Sequence, residues 1–274
     1  MRGRDDDAQK LLAAINQHEN VGQQWAEIQE SLQEKAHPRI VAAGFFGVLV
    51  IGIMLSVLQQ VTGINVFLYY APAIMKGFSD SSTDVALLQT ILVGAVNLSF
   101  TVLAIFTVDK FGRRLLMMIG AALMAVSMLA IGTAAYFNAI GGYLLVFMLL
   151  YIAAFALSLG PVTWVLLAEI FPNSIRSKAL SIAVLAQWFS NFVVSQSFPM
   201  MNEKDSFIYQ QFNGGFPFWL YGVMGLFTVY FIYRWVPETK GQSLEQLEKL
   251  WHRKTSATKR KLIGRNVIVR NINQ

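Results

Sequence analysis

The sequence predicts an all-α membrane protein with six transmembrane helices. Hydrophobic residues make up 55% of its 274 residues and charged residues only 14%, against roughly 25% charged in soluble domains. Five long blocks contain no charged residue: 40–75, 85–108, 115–168, 179–202 and 206–233. A helix that crosses a bilayer needs about 20 mostly apolar residues, so the third block is long enough for two crossings, joined at Asn138–Gly142. The six predicted spans lie near 42–70, 85–108, 115–137, 143–168, 179–200 and 216–236.

Basic residues predict how these spans are oriented, because cytoplasmic loops of membrane proteins are enriched in Lys and Arg. The turn after the second span holds Lys110, Arg113 and Arg114, and the turn after the fourth holds Arg176 and Lys178. The other three turns hold at most one basic residue each. We therefore expect a multi-pass protein of the cell (inner) membrane with both termini in the cytoplasm.

The chain divides into three predicted parts. They are a cytoplasmic linker with short helices at 1–39, the six-helix transmembrane part at 40–236, and a cytoplasmic tail at 237–274. The net charge of +6 comes mainly from that tail and suits the lipid bilayer's anionic headgroups better than nucleic acid. No metal centre is expected, because the chain has no cysteine and its three histidines lie outside the spans. An enzyme is not expected either, since the spans hold no ionisable nucleophile–base set.

The first span carries amides and aromatic residues in a stretch without charge: Gln59, Gln60, Asn65, Tyr69 and Tyr70. An amide buried in hydrocarbon is costly unless it meets a polar solute or another amide. Amides donate and accept hydrogen bonds and aromatic rings cover C–H surface, so this set suits an uncharged, hydroxyl-rich molecule. A continuous helix would not put the amides on one face, and we expect Gly63 to loosen it, as in transporters whose broken helices line a cavity. The alternative is that the amides bond to neighbouring helices.

Three further spans carry polar or interrupting residues at helical spacing. In the second span they are Thr90, Gly94, Asn97 and Thr101; in the fourth, Gly160, Pro161 and Trp164; in the fifth, Gln187, Trp188, Asn191 and Ser195. The second-span stripe fits helix packing through Asn97 as well as it fits a site. Proline bends the fourth span, where Trp164 could stack on a ligand or anchor the helix near the headgroups. The third and sixth spans are nearly all apolar or glycine, and we expect them to be outer, lipid-facing supports.

Acidic residues join the basic ones in the predicted cytoplasmic turns. The charged residues at these helix ends are Asp109, Arg113, Arg114, Glu169, Arg176 and Glu238. Ion pairs among them could hold the cytoplasmic face shut. The positive-inside rule alone explains the basic residues but leaves the three acids without a reason.

Five motifs in register resemble the signatures of the sugar porter family of the major facilitator superfamily. They are Gln59-Gln60-x-x-Gly63-Ile64-Asn65, Asp109-x-x-Gly112-Arg113-Arg114, Gly160-Pro161-x-x-Trp164, Glu169-Ile170-Phe171-Pro172-x-x-x-Arg176 and Pro237-Glu238-Thr239-Lys240-Gly241. The residues of these motifs are most similar to those of bacterial D-xylose/proton symporters. The resemblance implies one six-helix half of a fold in which two halves rock around a central sugar site.

The resemblance also implies roles for individual residues. Gln59, Gln60 and Asn65 would bind the sugar hydroxyls, Trp164 would pack against the ring, and Gln187 with Trp188 would complete the pocket. Asn97 would lie near the sugar and Tyr69 in the extracellular gate. The charged residues named above would form the cytoplasmic cluster that closes in the outward-facing state.

The family has twelve spans, and this chain has the last six. The expected partner is therefore a first six-helix half, which would supply part of the pocket and the acid–arginine pair linked to proton coupling; beyond the proton, no cofactor is expected. Ala156 stands where glucose facilitators of the family carry a glutamate. The predicted function is the C-terminal half of a sugar transporter, with D-xylose as the first candidate among pentoses and hexoses. The alternatives are a sugar sensor that does not transport and an inert fragment of a truncated transporter.

Overall fold

The computed structural model describes residues 46–78, 83–139, 141–173 and 175–242, together with the isolated positions 22 and 25. The rest of the predicted linker and the tail beyond residue 242 lie outside the described residues. Those four ranges contain helices and turns but no strand. The helices are α1 Phe46–Val61, α2 Ile64–Phe78, α3 Thr83–Phe111, α4 Arg113–Tyr136, α5 Tyr143–Leu157, α6 Leu159–Ile170, α7 Arg176–Asn202, α8 Phe207–Phe212 and α9 Phe216–Trp235.

Within the described ranges, six helical stretches are long and apolar enough to cross a bilayer, which confirms the predicted fold class. They are Phe46–Ile74, Leu88–Phe111, Arg113–Tyr136, Tyr143–Ile170, Arg176–Asn202 and Phe216–Trp235. The first consists of α1 and part of α2, and the fourth of α5 and α6, so two of the six spans are interrupted helices. The other four are single helices or part of one.

The third and sixth spans, which the sequence predicts to be outer, lipid-facing supports, are about half buried within this chain. Of an apolar window of 18 residues in each span, 56% is buried in the third span, 44% in the sixth and 11% in the second. Both spans also carry exposed apolar side chains, such as Val126 and Val223, so their place as outer supports stays a prediction. The third and sixth spans, α4 and α9, pack closely because their contact is lined by small residues. A Cβ added at Gly225 of α9 would lie 2.9 Å from that of Ala125 on α4. Small residues let helices approach, so the apolar, glycine-rich sequence of these spans reflects packing within the protein.

The first span is interrupted at Gly63, as the sequence predicts. Gly63 has φ +92°, a left-handed value that glycine adopts without steric cost. The amide of Val66 donates to the Gly63 carbonyl at 3.1 Å, which is one residue short of the helical partner, Thr62. The chain direction therefore changes between Gln60 and Asn65.

The fourth span is interrupted at Ser158, between α5 and α6. Ser158 has φ −128° and ψ −95°, outside the helical region. Pro161 has no N–H to give to the carbonyl of Leu157, so the regular ladder stops where α5 ends. The Ser158 hydroxyl donates to the Ala154 carbonyl at 2.6 Å.

Candidate functional site

An amide network joins the broken first span to α7. Asn65 Nδ2 donates to Gln60 Oε1 at 2.6 Å and to Asn191 Oδ1 at 2.8 Å. Asn191 Oδ1 also accepts the Ser195 hydroxyl at 3.0 Å, and Asn191 Nδ2 reaches the Tyr69 hydroxyl at 3.4 Å. The bond between Gln60 and Asn65 depends on the break, because a continuous helix would carry these residues to different faces.

Gln59 points away from this network, toward the second break. Its Nε2 donates to the carbonyls of Leu159 at 2.8 Å and Gly160 at 3.1 Å, the first two residues of α6. The side chain is 2% exposed. One end of its carboxamide thus ties α1 to α6, as the helix-contact alternative predicts for an amide in a span.

Two carboxamide oxygens in the middle of the spans lack a hydrogen-bond donor among the described residues. They are Gln59 Oε1 and Gln187 Oε1, and both are buried. Gln89 Oε1 also lacks one, but it lies in the first turn of the second span rather than at mid-span. A buried acceptor without a donor costs about 1–3 kcal/mol, so a donor that reached either oxygen would be stabilising.

The predicted aromatic site residues lie on exposed faces of this chain. Trp164 is 43% exposed, Trp188 61% and Tyr69 54%. Trp164 is one turn along α6 from Gly160, which accepts from Gln59, and Trp188 directly follows Gln187 on α7. Asn97 is half-buried on α3, in the least buried of the six spans.

The charged residues at the other end of the spans form a cluster centred on Arg113. Its Nη2 contacts Asp109 Oδ1 at 2.9 Å and Glu169 Oε1 at 3.0 Å. Glu169 Oε2 accepts the Thr239 hydroxyl at 2.6 Å. Three helices, α3, α4 and α6, and the segment after α9 are therefore held together by polar contacts. Asp109 is largely exposed, whereas Arg113 and Glu169 are mostly covered.

Glu238 joins this cluster as a helix cap. Its carboxylate accepts the backbone N–H groups of Arg113 at 3.0 Å and Arg114 at 3.2 Å, which are the first two of α4. A carboxylate at a helix N-terminus satisfies orphan donors and complements the helix dipole. Gly112 makes room for it, because a Cβ there would lie 2.8 Å from Glu238 Oε2.

Arg114 and Arg176 make different contacts from those expected of ion-pair partners. Arg114 donates to the Tyr233 carbonyl and lies over the Tyr233 ring. Arg176 Nε donates to the Phe171 carbonyl at 3.2 Å, and its buried Nη2 has no partner among the described residues. The closing of this cluster during transport, with Arg176 as a member, stays a prediction.

The family model described as "Sugar (and other) transporter" matches residues 1–251. The chain belongs to the sugar porter family of the major facilitator superfamily. This sugar porter is 52% identical over 259 residues to the D-xylose-proton symporter of Escherichia coli (strain K12), a match that covers 94% of the chain and 52% of the relative. It is 39% identical over 255 residues to the glucose facilitated diffusion protein of Zymomonas mobilis, with 92% and 53% covered.

A solved structure also resembles this sugar porter, that of the proton:xylose symporter XylE bound to 6-bromo-6-deoxy-D-glucose. It aligns with a TM-score of 0.78 at 53% identity, over 91% of this chain and 52% of that one. The sugar porter thus spans about half the length of the curated relatives it matches.

The structure adds two residues to the predicted site of this sugar porter. Asn191 lies between Asn65 and Tyr69 in the amide network, and its place in the fifth-span stripe was the sequence signal for it. Tyr151 contacts the first break from α5 through a hydrogen bond to the Thr62 carbonyl. No motif marks Tyr151, because a single tyrosine in an apolar span is indistinguishable from a packing residue.

Proposed function

We propose that this chain is the C-terminal half of a transporter that moves D-xylose together with protons by alternating access. The observation that carries the proposal is the pair of buried acceptors, Gln59 Oε1 and Gln187 Oε1, which lack donors among the described residues. Sugar hydroxyls are donors of the right kind. Trp188 directly follows Gln187, and Trp164 lies one turn after Gly160, which Gln59 contacts. Their exposed rings offer apolar faces to a sugar ring.

A pentose is the first candidate for the sugar. The relative named a D-xylose-proton symporter is 52% identical to this chain, and the one named a glucose facilitated diffusion protein is 39% identical. Ala156 also favours a pentose, because it stands where glucose facilitators of the family carry a glutamate. The pocket would discriminate pentose from hexose by the space that remains for one hydroxymethyl group.

The amide network gives Gln60, Asn65 and Tyr69 a supporting role in this proposal. Asn65 donates its two amide hydrogens to Gln60 and Asn191, so it would bind a sugar by accepting a hydrogen bond at its side-chain oxygen. Tyr69, half exposed and linked to Asn191, would cover the site from the extracellular side. Asn97 would approach the sugar from α3.

The charge cluster would close the cytoplasmic side of the site while the extracellular side is accessible. Arg113 is held by acids on α3 and α6, so separation of these helix ends breaks two ion pairs. We place this end, and both chain termini, in the cytoplasm of a cell with the protein in its inner membrane, because the basic turns lie there.

Sugar counterflow in vesicles tests the proposal. The chain is joined behind the first six-helix half of a D-xylose/proton symporter, reconstituted, and loaded with unlabelled pentoses or hexoses in turn. We expect labelled D-xylose to enter against loaded D-xylose, and its accumulation to follow an imposed proton gradient. Gln60→Ala and Gln187→Ala should abolish most of this uptake, whereas Gln210→Ala, the same change at an exposed position outside the spans, should not.

Three results would count against the proposal in different ways. Sugar binding without counterflow would favour the sensor that does not transport. Counterflow without proton-driven accumulation would favour facilitated diffusion. If the joined protein folds well but binds no sugar, the remaining hypothesis is that the chain is an inert fragment of a truncated transporter.

A further inference from the structure

The break at Gly63 leaves the backbone carbonyl of Thr62 without its helical donor. In a continuous helix the amide of Val66 would donate to the carbonyl of Thr62, four residues earlier. Here that amide donates to Gly63 instead, at 3.1 Å. The Thr62 side chain is 1% exposed, so its carbonyl lies in a region where water is scarce and a lost hydrogen bond is expensive.

Tyr151 supplies the missing donor from another helix. Its hydroxyl donates to the Thr62 carbonyl at 2.9 Å, across 89 residues of sequence. Tyr151 is fully buried, at 0% exposure, and its ring packs on Phe67 of α2 with the ring centres 5.0 Å apart. One side chain of α5 thus contacts the first span on both sides of the break.

We propose that Tyr151 is a positioning residue that holds the first span in its broken form. In the broken form the Tyr151 hydroxyl satisfies the buried Thr62 carbonyl. Without that hydroxyl the carbonyl would be satisfied only in an unbroken helix, where Val66 donates to it. The hydroxyl therefore biases the backbone toward the geometry that brings Asn65 to Gln60 and Asn191. The consequence for sugar binding rests on the proposed function, but the effect on the backbone does not.

Spin-label distances test the effect on the backbone. The chain has no cysteine, so cysteines at Val50 and Leu68, both exposed and on opposite sides of the break, carry the only labels. In an unbroken helix their backbones would be about 27 Å apart. We expect Tyr151→Phe to shift or broaden the distance distribution between the labels in lipid nanodiscs.

Tyr221→Phe is the matched control. The Tyr221 ring also packs against the break, within 2.8 Å of where a Cβ of Gly63 would lie. Its buried hydroxyl makes no hydrogen bond of normal geometry to any described residue, so its removal should leave the label distances unchanged. A fluorinated tyrosine at 151, which keeps the ring and strengthens the hydroxyl as a donor, is the second variant and should narrow the distribution.

The sugar readout uses the same variants without labels in the protein joined to a first half. Tyr151→Phe should raise the dissociation constant for D-xylose about tenfold, and Tyr221→Phe should leave it unchanged. Label distances that neither Tyr151→Phe nor the fluorinated tyrosine alters would overturn the proposal. If Tyr151→Phe alters the label distances but the unsubstituted joined protein binds no sugar, the positioning role is supported and only the proposed function is refuted.

Discussion

At the residue scale, the polar atoms of the site fall into two groups. Both carboxamide hydrogens of Asn65 and one of Asn191 are used within the chain, so we expect these residues to fix the geometry of the site. The oxygens of Gln59 and Gln187 have no donor among the described residues, so we expect these residues to gain most from a ligand. A site built this way separates the groups that hold its shape from the groups that bind.

Gln187→Leu should weaken D-xylose binding about 10- to 100-fold, the value of one or two hydrogen bonds. The thermal midpoint of the protein in detergent should not fall, because Gln187 makes no hydrogen bond to the described residues. Asn191→Leu should lower both the affinity for D-xylose and the thermal midpoint, since it removes the contacts with Asn65 and Ser195. Equilibrium binding of labelled sugar and thermal unfolding measure the two effects. A Gln187→Leu protein that melts early but binds normally would reverse these assignments.

The residue types of the site are predictable from the sequence, but the partners of each side chain are not. Uncharged amides in an apolar span identify Gln60, Asn65 and Gln187 without any structure. The bond from Gln59 to α6 is different, because its acceptors are backbone carbonyls 100 and 101 residues away. Such carbonyls become available only through the three-dimensional path of the chain, which no side-chain pattern records.

At the element scale, the breaks and caps of helices depend on a few backbone positions. Gly63 and Gly112 have positive φ values of 92° and 86°, and each has a large side chain against the face where a Cβ would be. Both glycines follow directly from the motifs in the sequence. What the sequence does not reveal is that Glu238, 126 residues after Gly112, caps the helix that begins there.

Gly63→Ala should destabilise the protein markedly. The left-handed backbone costs a residue with a Cβ about 1–2 kcal/mol, and the added atom would lie 2.8 Å from the Tyr221 ring. Gly94→Ala is the matched control, because no atom lies within 4 Å of its Cβ position and it is inside α3. There alanine should stabilise the helix by about 0.5–1 kcal/mol. Opposite shifts of the thermal midpoint are expected, and equal shifts would contradict the proposed geometry.

Glu238→Ala should destabilise the protein more than Asp109→Ala, although both remove an acid from the charge cluster. Loss of a helix cap typically costs about 1 kcal/mol, and here two backbone N–H groups of α4 lose their acceptor. The contact of Asp109 with Arg113 is an i,i+4 pair whose acid is largely exposed, and such pairs are worth about 0.3–0.5 kcal/mol. Thermal unfolding at low and high salt distinguishes the two variants, because added salt should diminish the Asp109 effect proportionally more than the loss of two hydrogen bonds at Glu238.

At the scale of the whole molecule, the least buried span is the second, which carries Asn97 and the polar stripe. Six spans and their order follow from the charge-free blocks. Which spans are inner and which outer does not follow, because a helix rich in small residues reads as apolar whether it faces lipid or another helix. The chain is about half as long as its relatives. Polar and aromatic faces of α3 and α7 are exposed in it, and we expect the proposed first half to cover them.

Proton coupling should not depend on any acid of this chain. No Asp or Glu lies in the five charge-free blocks, and the three acids of the charge cluster, Asp109, Glu169 and Glu238, contact arginine or backbone N–H groups. Glu169→Gln, which keeps the shape of the side chain, should therefore alter the rate of uptake by weakening the charge cluster but leave sugar accumulation proportional to the proton gradient.

Both effects are measured as sugar uptake by the joined transporter in vesicles at a series of imposed pH gradients. The matched comparison is neutralisation of the coupling acid that we propose for the first half. That change should abolish gradient-driven accumulation while exchange of sugar for sugar continues. If Glu169→Gln or Asp109→Asn produced that uncoupled behaviour instead, the coupling proton would be carried by this half. The charge cluster would then be part of the proton path as well as a closure of the cytoplasmic side.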